Sequence, residues 1–526
     1  MPLVEQLPGR LENVPDLLRR RAKAAEVREL WRGTYQDCFR YAMPSRETFS
    51  WTTPGQNKTS HLYDSTLQET TYEASNTLVA TLFPPWERWA ELSPGAALPR
   101  DELPDELVKG LQDATEVLFG FLHASNFSTV ISEVALDLMI GTAALAFDEG
   151  DDENPFVFTS VPVSVIELEE GPHGTVETTF QHRKPKLRNL LRLYPGLTLF
   201  DLPTQVADMH EREPEKEVEI LQIETYDPGS KHYYGIVLLL AEQSIIWRYD
   251  FGKTCPMIVA RATKVCGETY GRGRVMRALA DARTLDKIVE FVLRHAALQV
   301  APPLTGVSDG VLNPYTAQLA PNTIIPVASN DTGAPSLRPL DLGGNFNITQ
   351  EMIRDLRERI RREMLGPEMS DGAIKSATEI TIADRNRLWA MNGEFGRIQA
   401  ELLAKVVVRG VDILQEKGLL PRFTLNGREV AVRYTSPFAR SQDNEDVMAL
   451  QMTTATIAPY GPNVVNLGLK TEDIPAWVAR KTGLDLSLVR SKDERAQAVK
   501  DAEAALQRAS GGNPEVAAGM MQGVAG

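Results

Sequence analysis

Cysteine is scarce in this sequence. Its 526 residues include three cysteines, Cys38, Cys255 and Cys266, and none of them forms a CxxC pair. Disulfide frameworks and structural zinc sites need more cysteines at closer spacing. The sequence therefore predicts neither kind of site, and a reducing compartment is the simplest interpretation.

The sequence also lacks an apolar run long enough to span a bilayer, which takes roughly 18 residues. The stretch GIVLLLA at 235–241 falls far short of that length. The first residues, MPLVEQLPGRLENVPDLLRRR, contain no apolar core of the length found in signal peptides. We therefore expect a protein that is made in the cytosol and has no membrane partner.

Basic residues are in the minority. The chain has 56 Lys and Arg against 71 Asp and Glu, which gives a net charge of −15. A protein that wraps nucleic acid non-specifically needs the opposite balance to neutralise phosphates. This charge leaves room for a local basic patch, and the densest basic stretch contains Arg183, Lys184, Lys186, Arg188 and Arg192. We interpret that stretch as a solvated helix face.

Motifs of nucleotide and metal chemistry are incomplete. The triplet DFG at 250–252 stands without the other kinase motifs. The triplet GKT at 252–254 lacks the earlier glycine of a phosphate-binding loop, because Trp247 occupies that position. The dipeptide HE at 210–211 is followed by proline where a zinc helix needs its second histidine. The sequence predicts no enzyme, no cofactor and no metal, and it predicts a β-turn at a hairpin tip near residue 252.

Helical periodicity is present in the first part of the chain, and a strand-rich region follows it. Apolar residues recur at three- and four-residue steps in 10–45 and 62–83, and 103–146 is predicted as one or two further helices. Residues 155–270 are rich in Val, Ile, Tyr, Phe and Thr between turn signals, which predicts antiparallel strands. A helical insert is predicted at 185–196. We also expect Trp86 and Trp89, in PPWERW, to lie in the core.

Two helices separated by a loop-like segment come next. One apolar stripe predicts a helix over 274–300, and Pro302-Pro303 ends it. Residues 301–347 are rich in Pro, Gly, Asn and Asp, with TIIPVA as a short strand. A second helix is predicted at 348–365, followed by the Gly-rich segment 366–375.

The last part of the chain is mostly helical in pattern. A very long helix is predicted from Ser376, with bends at Gly393 and Gly396. Residues 423–434 read as a hairpin with an Asn-Gly turn, and 441–508 as further helix.

Three segments together carry a family resemblance. They are LYDST (62–66) leading to LFPPWERWAEL (82–92), ETYGRGRVMRALADARTLDKIVEFVLRHAALQVAPPL (268–304), and the region from KSATEITIADRNRLWAMNGEFGRIQAELL (375–403) to YTSPFARSQ (434–442). In this order and spacing the chain resembles the head-to-tail connector, or portal protein, of short-tailed bacteriophages. The match runs from about residue 15 to about residue 460.

The resemblance implies an α+β portal-protein fold with long stem helices, a β-rich wing, a loop-like clip and a helical crown. It implies a ring of about twelve copies at one capsid vertex. The implied parts are a wing (1–270), a first stem helix (271–300), a clip (301–347), a second stem helix (348–365), a tunnel loop (366–375), a long wing helix with a hairpin and a following helix (376–460), a crown (461–510) and a flexible tail (511–526).

Such a ring is the conduit through which double-stranded DNA is packaged and ejected. The implied partners are further copies of the chain, DNA, capsid protein, scaffolding protein, the terminase motor and tail adaptor proteins. The implied location is the capsid vertex of the virion, after assembly in the host cytoplasm. Two alternatives stay open, a nucleic-acid-processing enzyme or motor subunit and another internal virion protein.

Candidate site residues follow from the same resemblance. Residues expected to face the DNA channel are Arg361, Arg362, Met369, Ser370, Asp371 and Lys375. Residues expected in clip docking are Asn313, Tyr315, Asn322 and Asn330. The alternating charges of 354–363 predict i,i+4 and intersubunit ion pairs on the second stem helix. The alternative is that Arg361, Arg362 or Lys375 points into the channel towards phosphates.

Overall fold

The computed structural model describes residues 7–50, 55–95, 105–300, 304–306, 337–339, 346–366, 392–423, 430–435, 437–457, 459, 469, 474–482, 489–490, 494 and 497. The chain divides into two compact units. Unit 1 comprises Met1–Trp86 and Leu92–Val432, and unit 2 comprises Glu87–Glu91 and Arg433–Gly526.

Four helices open unit 1, where the sequence predicts helices. They are α1 (Val14–Ala42), α2 (Thr66–Leu82), α3 (Asp105–Ala124) and α4 (Phe127–Ile140). The side chain of Asn13 accepts a hydrogen bond from the Asp16 amide at the start of α1, as helix-capping residues do. Helix α2 ends just before two prolines, which cannot continue it.

The structure corrects the prediction of helix through residue 146. After Gly141 the chain forms strand β2 (Thr142–Glu149), which lies between β3 (Phe156–Val161) and β9 (Met257–Arg261) in a three-stranded antiparallel sheet. The alanines of β2 favour helix intrinsically. Pairing on both edges and burial of most of the strand outweigh that preference.

A five-stranded antiparallel sheet confirms the predicted β region. Its strands follow chain order: β4 (Ile166–Glu170), β5 (Val176–Arg183), β6 (Ile220–Asp227), β7 (His232–Leu239) and β8 (Ser244–Gly252). Helix α5 (Leu187–Leu193) confirms the predicted insert, and the sequence analysis missed α6 (Thr204–Arg212). Alternate residues of β7 belong to two hydrophobic cores. Val237 lies in the core that includes α5 and α6, and Ile236 lies in the core that includes α1.

The DFG and GKT triplets lie on a link between sheets. Strand β8 ends at Gly252, whose φ of +69° suits glycine, and the Gly252 amide donates to Asp250 Oδ1 at 2.7 Å. The next strand, β9, belongs to the three-stranded sheet. The predicted hairpin tip is therefore wrong, because the chain changes sheets here. The strand-to-helix transition of a phosphate-binding loop does not occur at this position.

The two helices predicted after residue 270 are confirmed. They are α7 (Arg274–Val300) and α8 (Phe346–Leu365), and α8 begins two residues earlier than predicted. Between them, β10 (Leu304–Gly306) pairs antiparallel with β11 (Leu337–Pro339). The predicted TIIPVA strand lies outside the described residues.

The long helix is interrupted where the sequence did not indicate it. Helix α9 (Asn392–Ile398) leads into a π-helical turn (Gln399–Leu403) and then α10 (Ala404–Glu416). Gly393 and Gly396 both lie within α9, and the bends expected there stay a prediction. The irregularity centres on Glu401, whose carboxylate accepts hydrogen bonds from Arg261 at 2.8 and 2.9 Å. The predicted first turns of this helix, 376–391, lie outside the described residues.

The remaining elements are β1 (Ala90–Pro94) and β12 (Val430–Tyr434), which form a two-stranded sheet, and α11 (Pro437–Ile457) and α12 (Ile474–Thr482). In unit 2, Lys481 of α12 pairs with Asp446 of α11 at 2.7 Å. These helices confirm part of the predicted helical region. The turn of the predicted hairpin lies outside the described residues.

The two tryptophans of PPWERW have different environments. Trp89 is 1% exposed, as expected. Trp86 is 86% exposed, so its predicted core position is wrong. It stands in a turn beyond the end of α2.

Candidate functional site

Helices α7 and α8 pack as an antiparallel pair. The guanidinium of Arg274, at the start of α7, donates to the carbonyl of Met364, at the end of α8, at 2.7 Å. Apolar residues at helical spacing are buried on both helices, namely Val275, Ala278, Leu279, Ala282 and Leu285 on α7 and Leu356, Ile360 and Met364 on α8. The predicted stripe on 274–300 therefore packs as expected along its first half.

An aspartate in this stripe ties the pair to α2. Asp286 is 8% exposed, and its Oδ1 accepts the backbone amides of Tyr63 at 2.6 Å and Asp64 at 3.1 Å. Asp64 in turn caps α2 by accepting the Thr66 amide at 2.9 Å, and it pairs with Arg357 of α8 at 2.6 Å. The LYDST segment thus joins α2, α7 and α8. We call Asp286, Asp64 and Arg357 the Asp286 junction.

The contacts of the Asp286 junction keep the Asp64 carboxylate charged. Burial alone would raise the pKa of Asp64, but hydrogen bonds from Thr66 and Arg357 outweigh it and hold that pKa below its usual value. Asp64 is therefore ionised at neutral pH, as its pairing with Arg357 requires.

We expect Asp286→Ala to lower the free energy of unfolding by about 2–3 kcal/mol, because two backbone amides lose their acceptor in a buried place. Urea denaturation of the purified protein measures this. Asp281→Ala is the matched control on the same helix, since Asp281 is only half-buried, and we expect a change within about 0.5 kcal/mol. Equal stability of the two variants would show that the amides find other acceptors.

The YGRG segment before α7 is packed against the start of β2. The Gly271 amide donates to Thr142 Oγ1 at 2.7 Å, and Tyr35 Oη donates to the Gly271 carbonyl at 2.7 Å. A Cβ on Gly273 would lie closer than 3.0 Å to the Met139 carbonyl oxygen. These glycines are needed because two backbones cross in direct contact.

Two of the arginines on α8 form the predicted ion pairs within the helix. Arg354 pairs with Glu358 at 3.3 Å and Arg359 with Asp355 at 3.0 Å, both at i,i+4 spacing. Arg361 and Arg362 lie exposed on the last turns of α8. Their contact with DNA stays a prediction. The other predicted channel residues, Met369, Ser370, Asp371 and Lys375, and the docking residues Asn313, Tyr315, Asn322 and Asn330 lie outside the described residues.

The densest basic stretch lies on the surface beside α5. Lys184 pairs with Glu219 at 2.7 Å, and Lys186 pairs with Glu215 at 2.8 Å. A cavity of about 510 Å³ is lined by Arg183, Lys184, Pro185, Asn189, Arg192 and Leu193. The carboxylates neutralise much of this charge. The predicted helix face is only partly correct, because Arg188 and Arg192 lie on α5 whereas Arg183 ends β5 and the two lysines precede the helix.

The last turns of α7 are apolar and exposed. Phe291, Leu293, Leu298 and Val300 are 56%, 53%, 45% and 88% exposed. This surface was not predicted, because it lies outside the main apolar stripe of the helix. The signal was available, since apolar residues in FVLRHAALQV occupy more than one side of the helix.

The Asp286 junction was also missed. Its signal is an aspartate that falls in step with Leu279, Ala282 and Val289 on an apolar stripe. A charged residue at such a position needs a buried partner. The amides that bind Asp286 lie more than 200 residues away in the chain. The sequence pattern could therefore indicate that Asp286 needs a partner, but not which residues supply it.

The described residues contain neither a candidate metal site nor a candidate membrane span. There, no group of three or more His, Cys, Asp or Glu is placed to hold a metal ion. None of the described helices is both long and apolar enough to cross a bilayer.

Comparison with known proteins identifies the family. The family model for the bacteriophage head to tail connecting protein matches residues 14–489. No curated protein matches the chain significantly. Similar solved chains occur in the virion of a native gene transfer agent particle (9% identity, 81% of this chain and 96% of that chain, TM-score 0.37) and in the neck of the native particle computed with C12 symmetry (12%, 75%, 87%, 0.30). The assignment rests on the family model, which spans most of the sequence. The chain therefore belongs to the bacteriophage head-to-tail connecting protein family, and its role is structural and not enzymatic.

Proposed function

We propose that this chain forms a ring of about twelve copies that serves as the portal at one vertex of a phage-like capsid. In this proposal α7 and α8 are the stem, 301–347 the clip, 366–375 the tunnel loop and 461–510 the crown. The observation that carries the proposal is the antiparallel pair of α7 and α8, whose exposed apolar end needs a partner.

The exposed end of α7 suits contact between copies. Large apolar side chains on neighbouring turns are costly to leave in water, and such surfaces mark sites of association. Phe291 and Leu298 lie two turns apart on one side of the helix, at i and i+7. A second copy of the same helix pair would cover them and would extend the contact from copy to copy around a closed ring.

A DNA conduit also fits the charge. The net charge of −15 per chain becomes about −180 for a ring of about twelve copies. Each Lys or Arg contact with phosphate releases counterions and is adhesive, so a channel should carry few of them. Arg361, Arg362 and Lys375 are the basic residues that we propose near the DNA, with Met369, Ser370 and Asp371 on the same loop.

The proposed partners follow from this position. Capsid and scaffolding proteins would contact the wing, while the terminase motor and tail adaptors would dock on the clip through Asn313, Tyr315, Asn322 and Asn330. The proposed location is the virion vertex, with assembly in the host cytoplasm. The conduit is passive and needs no cofactor.

Negative-stain imaging of the purified protein tests the ring. We expect closed rings with a central hole near the width of duplex DNA. Phe291→Glu with Leu298→Glu should abolish the rings and leave folded monomers, because charge on a buried contact is strongly unfavourable. Phe200→Glu is the control, since Phe200 is 99% exposed on another element. A wild-type protein that stays monomeric under all conditions would favour another internal virion protein.

A further inference from the structure

Two arginines on the first turn of α7 contact the chain on both sides of residues 367–391. Arg274 donates to the Met364 carbonyl at 2.7 Å and pairs with Glu394 at 2.8 Å. Arg277 pairs with Glu394 at 3.0 Å and also with Glu363. Glu363 and Met364 belong to the end of α8, and Glu394 to the start of α9. We call Arg274, Arg277, Glu363 and Glu394 the α7 clamp.

The contact between Arg274 and Met364 complements the end of α8. The Met364 carbonyl is among the last four of α8, which have no partner within the helix. A cation is favoured there because the C-terminal end of a helix carries partial negative charge. Arg274 therefore satisfies this terminus while it also pairs with Glu394 of α9.

Burial makes the inner part of the α7 clamp strong. The side chains of Arg274 and Glu394 are 6% and 14% exposed, whereas those of Arg277 and Glu363 are 44% and 40% exposed. An ion pair shielded from water is screened little by salt, and it becomes costly to break because one buried charge is then left alone. The outer pair adds less.

The other end of α9 is held as well. Arg261 of β9 is 2% exposed and bonds both carboxylate oxygens of Glu401, in the π-helical turn. Arg397 adds a contact with Glu401 at 3.0 Å. Helix α9 is thus bound through Glu394 to α7 and through Glu401 to the three-stranded sheet, and it cannot swing freely.

We propose that Arg274 and Arg277 are positioning residues that fix both ends of the segment 367–391 on one turn of α7. The proposal rests on the proposed function, in which this segment includes the tunnel loop beside DNA. Force that DNA exerts on the segment passes into α7, because the two attachment points cannot separate while the α7 clamp is closed. Opening the clamp therefore impairs DNA packaging without preventing ring formation.

The test compares the variant Arg274→Gln with Arg277→Gln against the control Arg354→Gln with Arg359→Gln. The control removes two arginines whose ion pairs lie within α8. Three quantities are measured: ring formation, tryptic cleavage of rings after Lys375, Arg385 and Arg387, and the yield of packaged genomes. In the clamp variant we expect normal rings, cleavage at least about tenfold faster and a genome yield at least about tenfold lower. The control should match the wild type.

The outcomes separate the two proposals. Unchanged cleavage and unchanged genome yield in intact variant rings would overturn the positioning role and leave the portal proposal standing. Failure of the wild type to form rings would instead overturn the portal proposal. If the double variant does not fold, Arg277→Gln alone is used, because this half-exposed residue is dispensable for the core. It should accelerate cleavage in the same direction, and Arg277→Lys, which keeps a cation between Glu363 and Glu394, should stay closer to the wild-type rate.

Discussion

Gly273→Ala is expected to lower the free energy of unfolding by about 3 kcal/mol or more and to reduce the yield of soluble protein sharply. The added Cβ would lie closer than 3.0 Å to the Met139 carbonyl oxygen and to backbone atoms of Ile140. Backbone atoms in the last turn of α4 cannot rotate away as the tip of a side chain can. Urea denaturation and soluble yield measure the effect.

Gly33→Ala is the matched control for this change. Gly33 lies within α1, and a Cβ there meets no atom within 4 Å. Alanine is favoured over glycine in a helix by about 0.5–1 kcal/mol, so this variant should be slightly more stable than the wild type. If Gly273→Ala were as stable as Gly33→Ala, the crossing of YGRG over α4 would have to be looser than described.

The second large effect is expected at Arg409 of α10. This residue is 5% exposed, and its guanidinium donates to the carbonyls of Phe147 at 2.6 Å and Thr254 at 3.2 Å. It also lies 5.5 Å from the ring centre of Phe251. We expect Arg409→Leu to cost about 3 kcal/mol of unfolding free energy, because two buried carbonyls lose their donors. Urea denaturation again gives the value.

Two further variants test whether the loss of stability in Arg409→Leu comes from the missing guanidinium hydrogen bonds. Arg409→Lys keeps the charge but loses the planar fork that reaches both carbonyls, so it should recover only part of the stability. Arg354→Leu removes an arginine whose side chain is 83% exposed and should change stability by less than about 0.5 kcal/mol. A fully stable Arg409→Leu would mean that water or another donor replaces the guanidinium.

Local signals explain where the sequence analysis succeeded. Helix α7 begins and ends as predicted because Gly271 and Gly273 precede its stripe and Pro302-Pro303 follows it. The ion pairs at i,i+4 on α8 were predictable because helix geometry alone brings those positions together. The antiparallel strands were rich in β-branched and aromatic residues, with turn residues between them.

Long-range contacts explain where it failed. Strand β2 reads as helix in isolation because it is rich in alanine, and only its neighbours β3 and β9 make it a strand. The π-helical turn contains Glu401, whose partner Arg261 lies about 140 residues away in the sequence. The α7 clamp was missed for the same reason. Its residues come from three helices, and the sequence alone does not show how these helices pack together.

The π-helical turn also has a consequence for the length of its helix. A π turn contains one residue more than an α turn needs, because its hydrogen bonds close from i to i+5. Helices α9 and α10 therefore share one surplus residue, equivalent to about 1.5 Å of axial rise and about 100° of rotation if it were absorbed into regular helix. Arg261 binds Glu401 within this turn. The extra residue therefore lies between the part of the helix that leads to the proposed tunnel loop and the part that is buried against the sheet.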